Sequence, residues 1–337
     1  MTTIKDVARL AGVSPATVSQ ALNGRPRVNS ETRRRVVDAA LKLRYAPNLH
    51  GRRLARRRAE SIAVIQGKNL STVFSDSFYR VVMGGVVEAA RARGYSLMIT
   101  PTSGAGAGGD HCPGILGNGA VDGVLVAGVL EEAALLALRH RGLPLVLVDN
   151  YLPGVEVPAV MPDYRAGARL ATEHLLALGH RRVAFLGAAV SYPFGWHTYE
   201  GYADALGARG VAQHPALVRR CAISVEAATT ETADLLALPA PPTAIFAVTD
   251  AMAIGALRGA RAQGVPVPAR LAVVGMDDIE VSAYTDPPLT TVRVAKEELG
   301  RLAAERLIRL IEGEPTDAAL LPVGGELVVR VSCGGAR

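Results

Sequence analysis

From residue 61 onward, short apolar runs alternate with longer stretches of helical period, and this alternation constrains the fold more than any other feature of the chain. Strand-like runs occur at SIAVI (61–65), SLMIT (96–100), GVLVAG (123–128), LVLVDN (145–150), VAFLGA (183–188), AIFAVTD (244–250) and LAVVGMDD (271–278). Helical segments such as FYRVVMGGVVEAARARG and RAGARLATEHLLALG lie between them. Repeated strand–helix–strand units imply parallel sheets, and the length suggests two of them, hence two lobes with a cleft. Ligands of open α/β sheets gather beyond the carboxyl ends of the strands, where Asp149, Thr249, Asp250 and Asp277 supply polar groups.

The first sixty residues read differently. They hold fourteen Lys/Arg against four Asp/Glu, whereas the remaining residues hold 23 basic and 27 acidic groups. Arg outnumbers Lys 33 to 4, a bias that explains the choice of Arg but not its concentration at one end. Such asymmetry is the footprint of a polyanion-binding module joined to an ordinary soluble body. The three cysteines (Cys112, Cys221, Cys333) are too far apart for a disulfide framework or a zinc cluster. MTTIKDVARLAG has charges where a signal peptide needs an apolar core. The longest apolar candidate, GVLVAGVLEEAALLAL, is broken by Glu131 and Glu132, so no membrane span and a cytoplasmic location are expected.

Within the basic segment, Ile4, Val7, Ala8 and Ala11 share one helical face behind the capping residue Thr3, with Asp6 in the first turn and Gly12 as the stop. Val13 packs inward, and Ser14-Pro15 opens a second helix with Ser at the N-cap and Pro at N1. Val18, Ala21 and Leu22 form its buried face, and Gly24 ends it. A third helix from about Ser30 turns Val36, Val37, Ala40 and Leu41 inward. Two short helices joined by a tight turn and braced by a third make a helix-turn-helix. Its second helix exposes Pro15, Ala16, Thr17, Ser19, Gln20 and Asn23, a surface suited to the major groove, with Thr3 and Ser14 at the helix starts beside it. The same pattern alone also describes a small three-helix bundle with a solvated face. YAPNLHGRRLARRRAES (45–61) then places Leu49 and Leu54 among five arginines. A charge run is often only a linker, but a short helix with an apolar wedge and Arg neighbours suits the minor groove.

TIKDVARLAGVSPATVSQALNG, VNSETRRRVVDAALKLRYAPN and RRLA together resemble the headpiece and hinge of the lactose-repressor (LacI/GalR) family of bacterial transcription regulators. VDGVLVAG, ATEHLLALGHRRVAFLG, AIFAVTDAMAIGALR, AVVGMDDIEVSAYTDPPLTTV and ELVVR continue the resemblance through the body. It implies a small all-α helix-turn-helix headpiece with hinge helix (1–46 and 47–60), followed by a two-lobed α/β periplasmic-binding-protein-like effector domain (61–337). The lobes are expected at about 61–158 plus 291–318 and 159–290 plus 319–333, with crossings near 158, 290 and 319. It further implies a homodimeric repressor on palindromic double-stranded operator DNA, controlled by a small-molecule effector, with no cofactor. Asn48, Arg52 and Leu54 fall at family DNA contacts, Leu54 as the leucine inserted in the minor groove. Phe78, Tyr79, Asp149, Trp196, Thr198, Asp250 and Asp277 fall in the effector cleft.

Three departures from the family pattern matter. Gln20 stands where Arg is frequent, and Gly51 replaces Ala before the hinge arginine, weakening that helix by up to about 1 kcal/mol. Thr198 stands three residues before Gly201, where many relatives place an Arg; His197 is its neighbour. Loss of that fixed cation favours a neutral polyol such as a mono- or oligosaccharide over an anionic ligand, unless Arg165 or Arg80 replaces it. The glycine-rich GAGAGGDHCPGILGNG (104–119) replaces a charged family helix and is expected to be a loop or a shortened helix near Pro113 and Ile115. The chain ends at VVRVSCGGAR without a heptad segment, so a dimer without a tetramerising tail is expected.

Enzyme readings fare poorly. Gly104-x-Gly106-x-x-Gly109 meets the dinucleotide pattern but runs into Asp110, Cys112 and Pro113 instead of opening a helix. There is no P-loop, no G-x-S-x-G elbow and no metal spacing among seven histidines. Asp277 and Asp278 are adjacent at a strand end and point apart, so they cannot share a substrate proton. A solute-binding protein with an incidental basic end remains the other reading, and it would need export. Gln pairs with adenine N6/N7 and Arg with guanine O6/N7, so Gln20→Arg is expected to change one symmetric operator position by about 1–3 kcal/mol of discrimination. Selection of bound sequences from random DNA checks this; identical motifs for both proteins would refute it.

Overall fold

Among the described residues, twelve strands and ten α-helices form, three of the helices in the basic segment and the others alternating with strands. The computed structural model describes residues 2–22, 28–45, 58–66, 76–101, 114–116, 119–128, 130, 132–188, 193–317 and 319–335. The chain divides into two units, Met1–Ala59 and Glu60–Arg337.

In the first unit, α1 (Ile4–Ala11), α2 (Pro15–Leu22) and α3 (Ser30–Lys42) enclose a core of Val7, Ala8, Ala11, Val18, Ala21, Val36, Ala39 and Ala40. Local chemistry sets each boundary. The Asp6 carboxylate accepts from the Thr3 amide (2.9 Å) and hydroxyl (2.7 Å), and Gly12 closes α1 at φ 67°. Ser14 Oγ accepts from the Thr17 amide (3.1 Å), and Asn29 caps α3 through the Thr32 amide (2.7 Å). The Arg35 guanidinium donates to the Ala11 carbonyl, placing a cation on the carboxyl end of α1. Val37 and Leu41, expected to face inward, are 39% and 71% exposed. The buried register is Val36, Ala39, Ala40, with Leu43 packed at its end, one residue out of phase with the wider stripe read from sequence. Asn23, Asn48, Arg52, Leu54 and the boundary between headpiece and hinge lie outside the described residues.

The second unit holds two six-stranded sheets. The first has the order β2-β1-β3-β4-β5-β11 and the second β7-β6-β8-β9-β10-β12. These strands are β1 (Ser61–Gln66), β2 (Ser96–Pro101), β3 (Gly123–Ala127), β4 (Leu145–Val148), β5 (Ala159–Pro162), β6 (Val183–Gly187), β7 (Val218–Arg220), β8 (Ala244–Ala247), β9 (Ala272–Asp277), β10 (Thr290–Val294), β11 (Leu320–Val323) and β12 (Gly325–Val328). All pairings are parallel except β10 with β12. Strands β1, β3, β4, β5, β6, β8 and β9 are buried along their whole length, as parallel strands covered on both faces must be. The chain changes sheet after Pro162, Val294 and Val323. The crossings expected near 158, 290 and 319 therefore fall several residues early, because β5, β10 and β11 each stay paired in the sheet they are leaving. In the glycine-rich segment a single 3-10 turn, Gly114–Leu116, is described; residues 104–112 lie outside the described residues.

The covering helices are α4 (Ser77–Ala92), α5 (Glu132–His140), α6 (Tyr164–Ala177), α7 (Pro193–Ala208), α8 (Val225–Leu236), α9 (Asp250–Ala262) and α10 (Lys296–Glu312). Helices α4 and α10 touch backbone to backbone. A Cβ on Gly85 would stand 2.0 Å from the Glu297 carbonyl oxygen, and one on Gly300 would clash as severely with the Val82 carbonyl. Gly84, one residue earlier, faces open space. Gly85→Ala is therefore expected to cost about 1–3 kcal/mol by forcing the helices apart. Gly84→Ala should instead gain up to about 1 kcal/mol of helix propensity. Urea midpoints of the two variants at one protein concentration test the contrast.

Candidate functional site

Parallel pairing delivers the ends of β1, β4, β8 and β9, with the helix starts that follow them, to one place. There, both lobes of the second unit enclose a cavity of about 330 Å³. Its described walls are Asp76, Ser77, Phe78, Tyr79 and Asp149 from the first lobe and Tyr164, Phe194, Ile223, Val248, Thr249, Ala251, Asp277 and Ile279 from the second. Asp76 caps α4, accepting from the Phe78 amide (2.8 Å) and the Tyr79 amide (3.4 Å). Thr249 caps α9 through the Met252 amide (3.2 Å). Two helix starts thus face the cavity.

Asp149 is the centre of the polar wall. It follows β4 at φ 58°, and its carboxylate accepts from Tyr79 Oη (2.6 Å) and Tyr164 Oη (2.5 Å), one phenol from each lobe. Gly128 leaves the room that the Tyr79 hydroxyl occupies. The Asp149 carboxyl lines the cavity, and burial raises its pKa to about 6 against the two hydroxyl bonds, which lower it. Both phenols are held well above their usual value, first by burial and then by the charge of Asp149. Asp277, 8% exposed, presents a carboxyl that accepts no bond from a described residue. Burial and then the charge of Asp250 push it well up, while Lys296 pulls it back. No Lys, Arg or His lines the cavity among the described residues. At the rim, Arg80 reaches Glu280 (3.3 Å) and Tyr151 Oη meets His197 Nε2 (3.0 Å), each contact joining the two lobes.

In the first unit, α2 exposes Pro15, Ala16 and Ser19 and half-exposes Thr17 and Gln20, a contiguous small and polar surface. Ser14 and Thr3 are exposed with their hydroxyls engaged in the helix caps.

Residues 3–48 match the family model described as bacterial regulatory proteins, lacI family, and residues 172–333 match a periplasmic binding protein-like domain. The transcriptional regulator CelR of Thermobifida fusca is 34% identical over 98% of each chain. The repressor CytR of Escherichia coli is 32% identical over 98% of this chain and 96% of its own. Among solved structures, a CelR–cellobiose complex superposes with a TM-score of 0.75 at 32% identity, covering 98% of this chain and all of the other. The Lac repressor dimer bound to operator and the anti-inducer ONPF gives a TM-score of 0.83 at 27% identity over 98% of each chain. This chain belongs to the lacI family. It is a DNA-binding transcriptional regulator with a small-molecule effector domain, not an enzyme.

Against that family frame, the cavity gathers Phe78, Tyr79, Asp149 and Asp277 of the residues expected from sequence and leaves out three. Asp250 is wholly buried behind the wall: its oxygens accept from the Ile279 amide (2.9 Å), Ser282 Oγ (2.6 Å) and Thr291 Oγ1 (2.5 Å), so it braces the loop after β9. Thr198 is also fully buried, and its hydroxyl returns to the Phe194 carbonyl (2.7 Å) one turn back. Trp196 is 49% exposed and lies parallel to His197 with centroids 6.0 Å apart, outside the cavity lining. Phe194, two residues earlier, supplies the aromatic face instead, packed against Tyr164 at 5.8 Å. Neither Arg165 nor Arg80 supplies the missing cation: Arg165 pairs with Asp204 (2.7 Å) and Arg80 with Glu280. Asp76, Tyr164 and Phe194 were missed. Only Asp76 carried a local signal, an aspartate two residues before an apolar-periodic run.

The raised Asp149 pKa makes a testable statement about stability. The folded state keeps its proton up to about pH 6, whereas an unfolded aspartate loses it near 3.9. Stability is therefore lost as pH rises through that window and is constant in this respect above it. Asp149→Asn is expected to remove a fall on the order of 2–3 kcal/mol between pH 4 and 6. Urea unfolding of both proteins across that range measures it, and parallel curves would overturn the assignment.

Proposed function

We propose that the protein is a cytoplasmic, homodimeric repressor that binds a palindromic operator through α2 and the hinge, and that a neutral saccharide in the interlobe cavity alters its operator affinity. The DNA side rests on the small, polar face of α2: one such helix reads few base pairs, and a two-fold pair reads a palindrome. Contacts by Thr3, Ser14, Pro15, Ala16, Thr17, Ser19 and Gln20 belong to this reading, as do those of Asn23, Asn48, Arg52 and Leu54. The dimer and the operator are also what the Lac repressor relative displays.

The observation that carries the ligand class is the cavity wall. Three carboxylates (Asp76, Asp149, Asp277) and the hydroxyls of Ser77, Tyr79, Tyr164 and Thr249 stand beside the faces of Phe78 and Phe194, with no cation among the described lining residues. Hydroxyl-rich ligands donate to carboxylates and lay apolar ring faces on aromatics, whereas phosphates and carboxylates would meet repulsion. The CelR relative binds cellobiose, a neutral disaccharide, which makes small oligosaccharides the first probes.

A fluorescence-anisotropy titration on operator DNA, run with neutral, phosphorylated and carboxylated sugars, tests the proposal. Neutral saccharides are expected to shift operator affinity, and Asp277→Ala is expected to keep operator binding and lose the response. A response confined to anionic compounds would overturn the ligand class.

A further inference from the structure

The end of β9 carries two consecutive residues of positive φ, Asp277 (125°) and Asp278 (53°). Neither is glycine, so contacts from outside the strand must hold this backbone. Two sets of cations do so. The Asp278 carboxylate accepts from Arg293 Nε (2.7 Å) and Arg330 Nη2 (2.6 Å), and these bonds hold it below the usual range despite its burial. The main chain of the turn is held by Lys296, only 7% exposed, whose Nζ donates to the carbonyls of Asp277, Asp278 (3.2 Å) and Val294 (3.5 Å). An ammonium has three donors, and here all three meet main-chain oxygens. The charge of Lys296 therefore sits behind Asp277, whose own carboxyl faces the cavity.

The position of Lys296 in the chain adds to this. It is the first residue of α10, where the chain has just left the second sheet for the first lobe. Helix α10 is pressed onto α4 through Gly85 and Gly300, and the cap and first turn of α4 carry Asp76 and Tyr79 of the opposite wall. One side chain thus grips the strand end that bears Asp277 from a helix locked to the element that bears the facing wall.

We propose that Lys296 is a positioning residue of the effector cavity: it fixes the direction of the Asp277 carboxyl, supplies its counter-charge, and ties that acid to the α4–α10 pair across the cleft. This rests on reading the cavity as the effector site. The groups acting on Asp277 are Asp250, Asp149 and Asp76, which oppose its ionisation, and Lys296, which favours it. On Lys296, burial opposes the charge, Asp277, Asp278 and Asp250 restore it, and Arg293 opposes it. An acid whose folded pKa is raised loses stability as pH climbs from the unfolded value through the folded one. Removing Lys296 raises that folded value further, so the loss continues to higher pH.

The test is a double-mutant cycle of Lys296→Met and Asp277→Asn, read as urea midpoints at pH 5 and pH 8. The midpoint loss from Lys296→Met is expected to be about twofold larger at pH 8 than at pH 5 and to lose that difference in the Asp277→Asn background. Lys296→Arg, which keeps the cation, should restore the wild-type pH dependence. If Lys296→Met does not fold, Lys296→Gln, which keeps donors without charge, takes its place in the cycle. A loss equal at both pH values and unchanged by Asp277→Asn would make Lys296 a simple strut and overturn the proposal. The cycle needs no saccharide, so its outcome is separate from whether any sugar shifts operator binding.

Discussion

Parallel hydrogen bonding makes neighbouring strands of a sheet end at the same edge, and that single constraint places everything functional in the second unit. Each sheet repeats one order, β2-β1-β3-β4-β5 and β7-β6-β8-β9-β10, so each lobe has one edge at which strands stop and helices begin. The cavity lies where those edges meet. Its acids therefore sit at strand ends and a helix start: Asp76 before α4, Asp149 at φ 58° after β4, and Asp277 at φ 125° closing β9. A strand end frees the backbone to adopt such angles, and the fully buried strands behind it give the acids a rigid base.

The electrostatics follow from that geometry. Carboxyls collected at the strand ends are screened from bulk water by both lobes, so burial is the first cause of the upward shift at Asp149, Asp250 and Asp277 alike. What separates the three is how each is answered. Asp250 is saturated by an amide and two hydroxyls and serves the fold. Asp149 is answered by two phenols. Among the described residues Asp277 has no donor on its carboxyl, and Lys296 lies on its backbone side, which leaves it the most demanding group in the wall.

Much of this was legible in the sequence, for reasons that can be named. All seven apolar runs became strands because buried parallel strands are continuous apolar segments. The strands β5, β7, β10, β11 and β12 carried no such run: AVMP and LLPV contain proline, TTVRV is half polar, and VRR and GELV are too polar and brief. At the site, residue type was readable and helix phase was not. Trp196 is expected in the cleft by resemblance, yet it sits about 200° around α7 from Phe194, the residue that faces the cavity. Asp250 is expected in the cleft by resemblance, whereas the helix start puts its capping residue, Thr249, at the strand end and in the wall. Tyr164 was invisible because its role depends on the other lobe. The hinge residues were read from motif alone and lie outside the described residues.

The Asp149 contacts link the structure to a response. Its two phenol donors come from different lobes, so the acid is fully answered only while both lobes hold their present positions. The rim pairs Arg80–Glu280 and Tyr151–His197 share this property, but the ion pair is exposed and worth little. A ligand that brings its own donors to Asp149 and Asp277 competes with the phenols for one acid and satisfies the other for the first time. Its affinity must then differ between lobe arrangements, and a ligand shifts a conformational equilibrium only through such a difference. A wall in which one acid is pre-satisfied by both lobes and its neighbour is left open supplies that difference without any moving part beyond the three crossings of the chain.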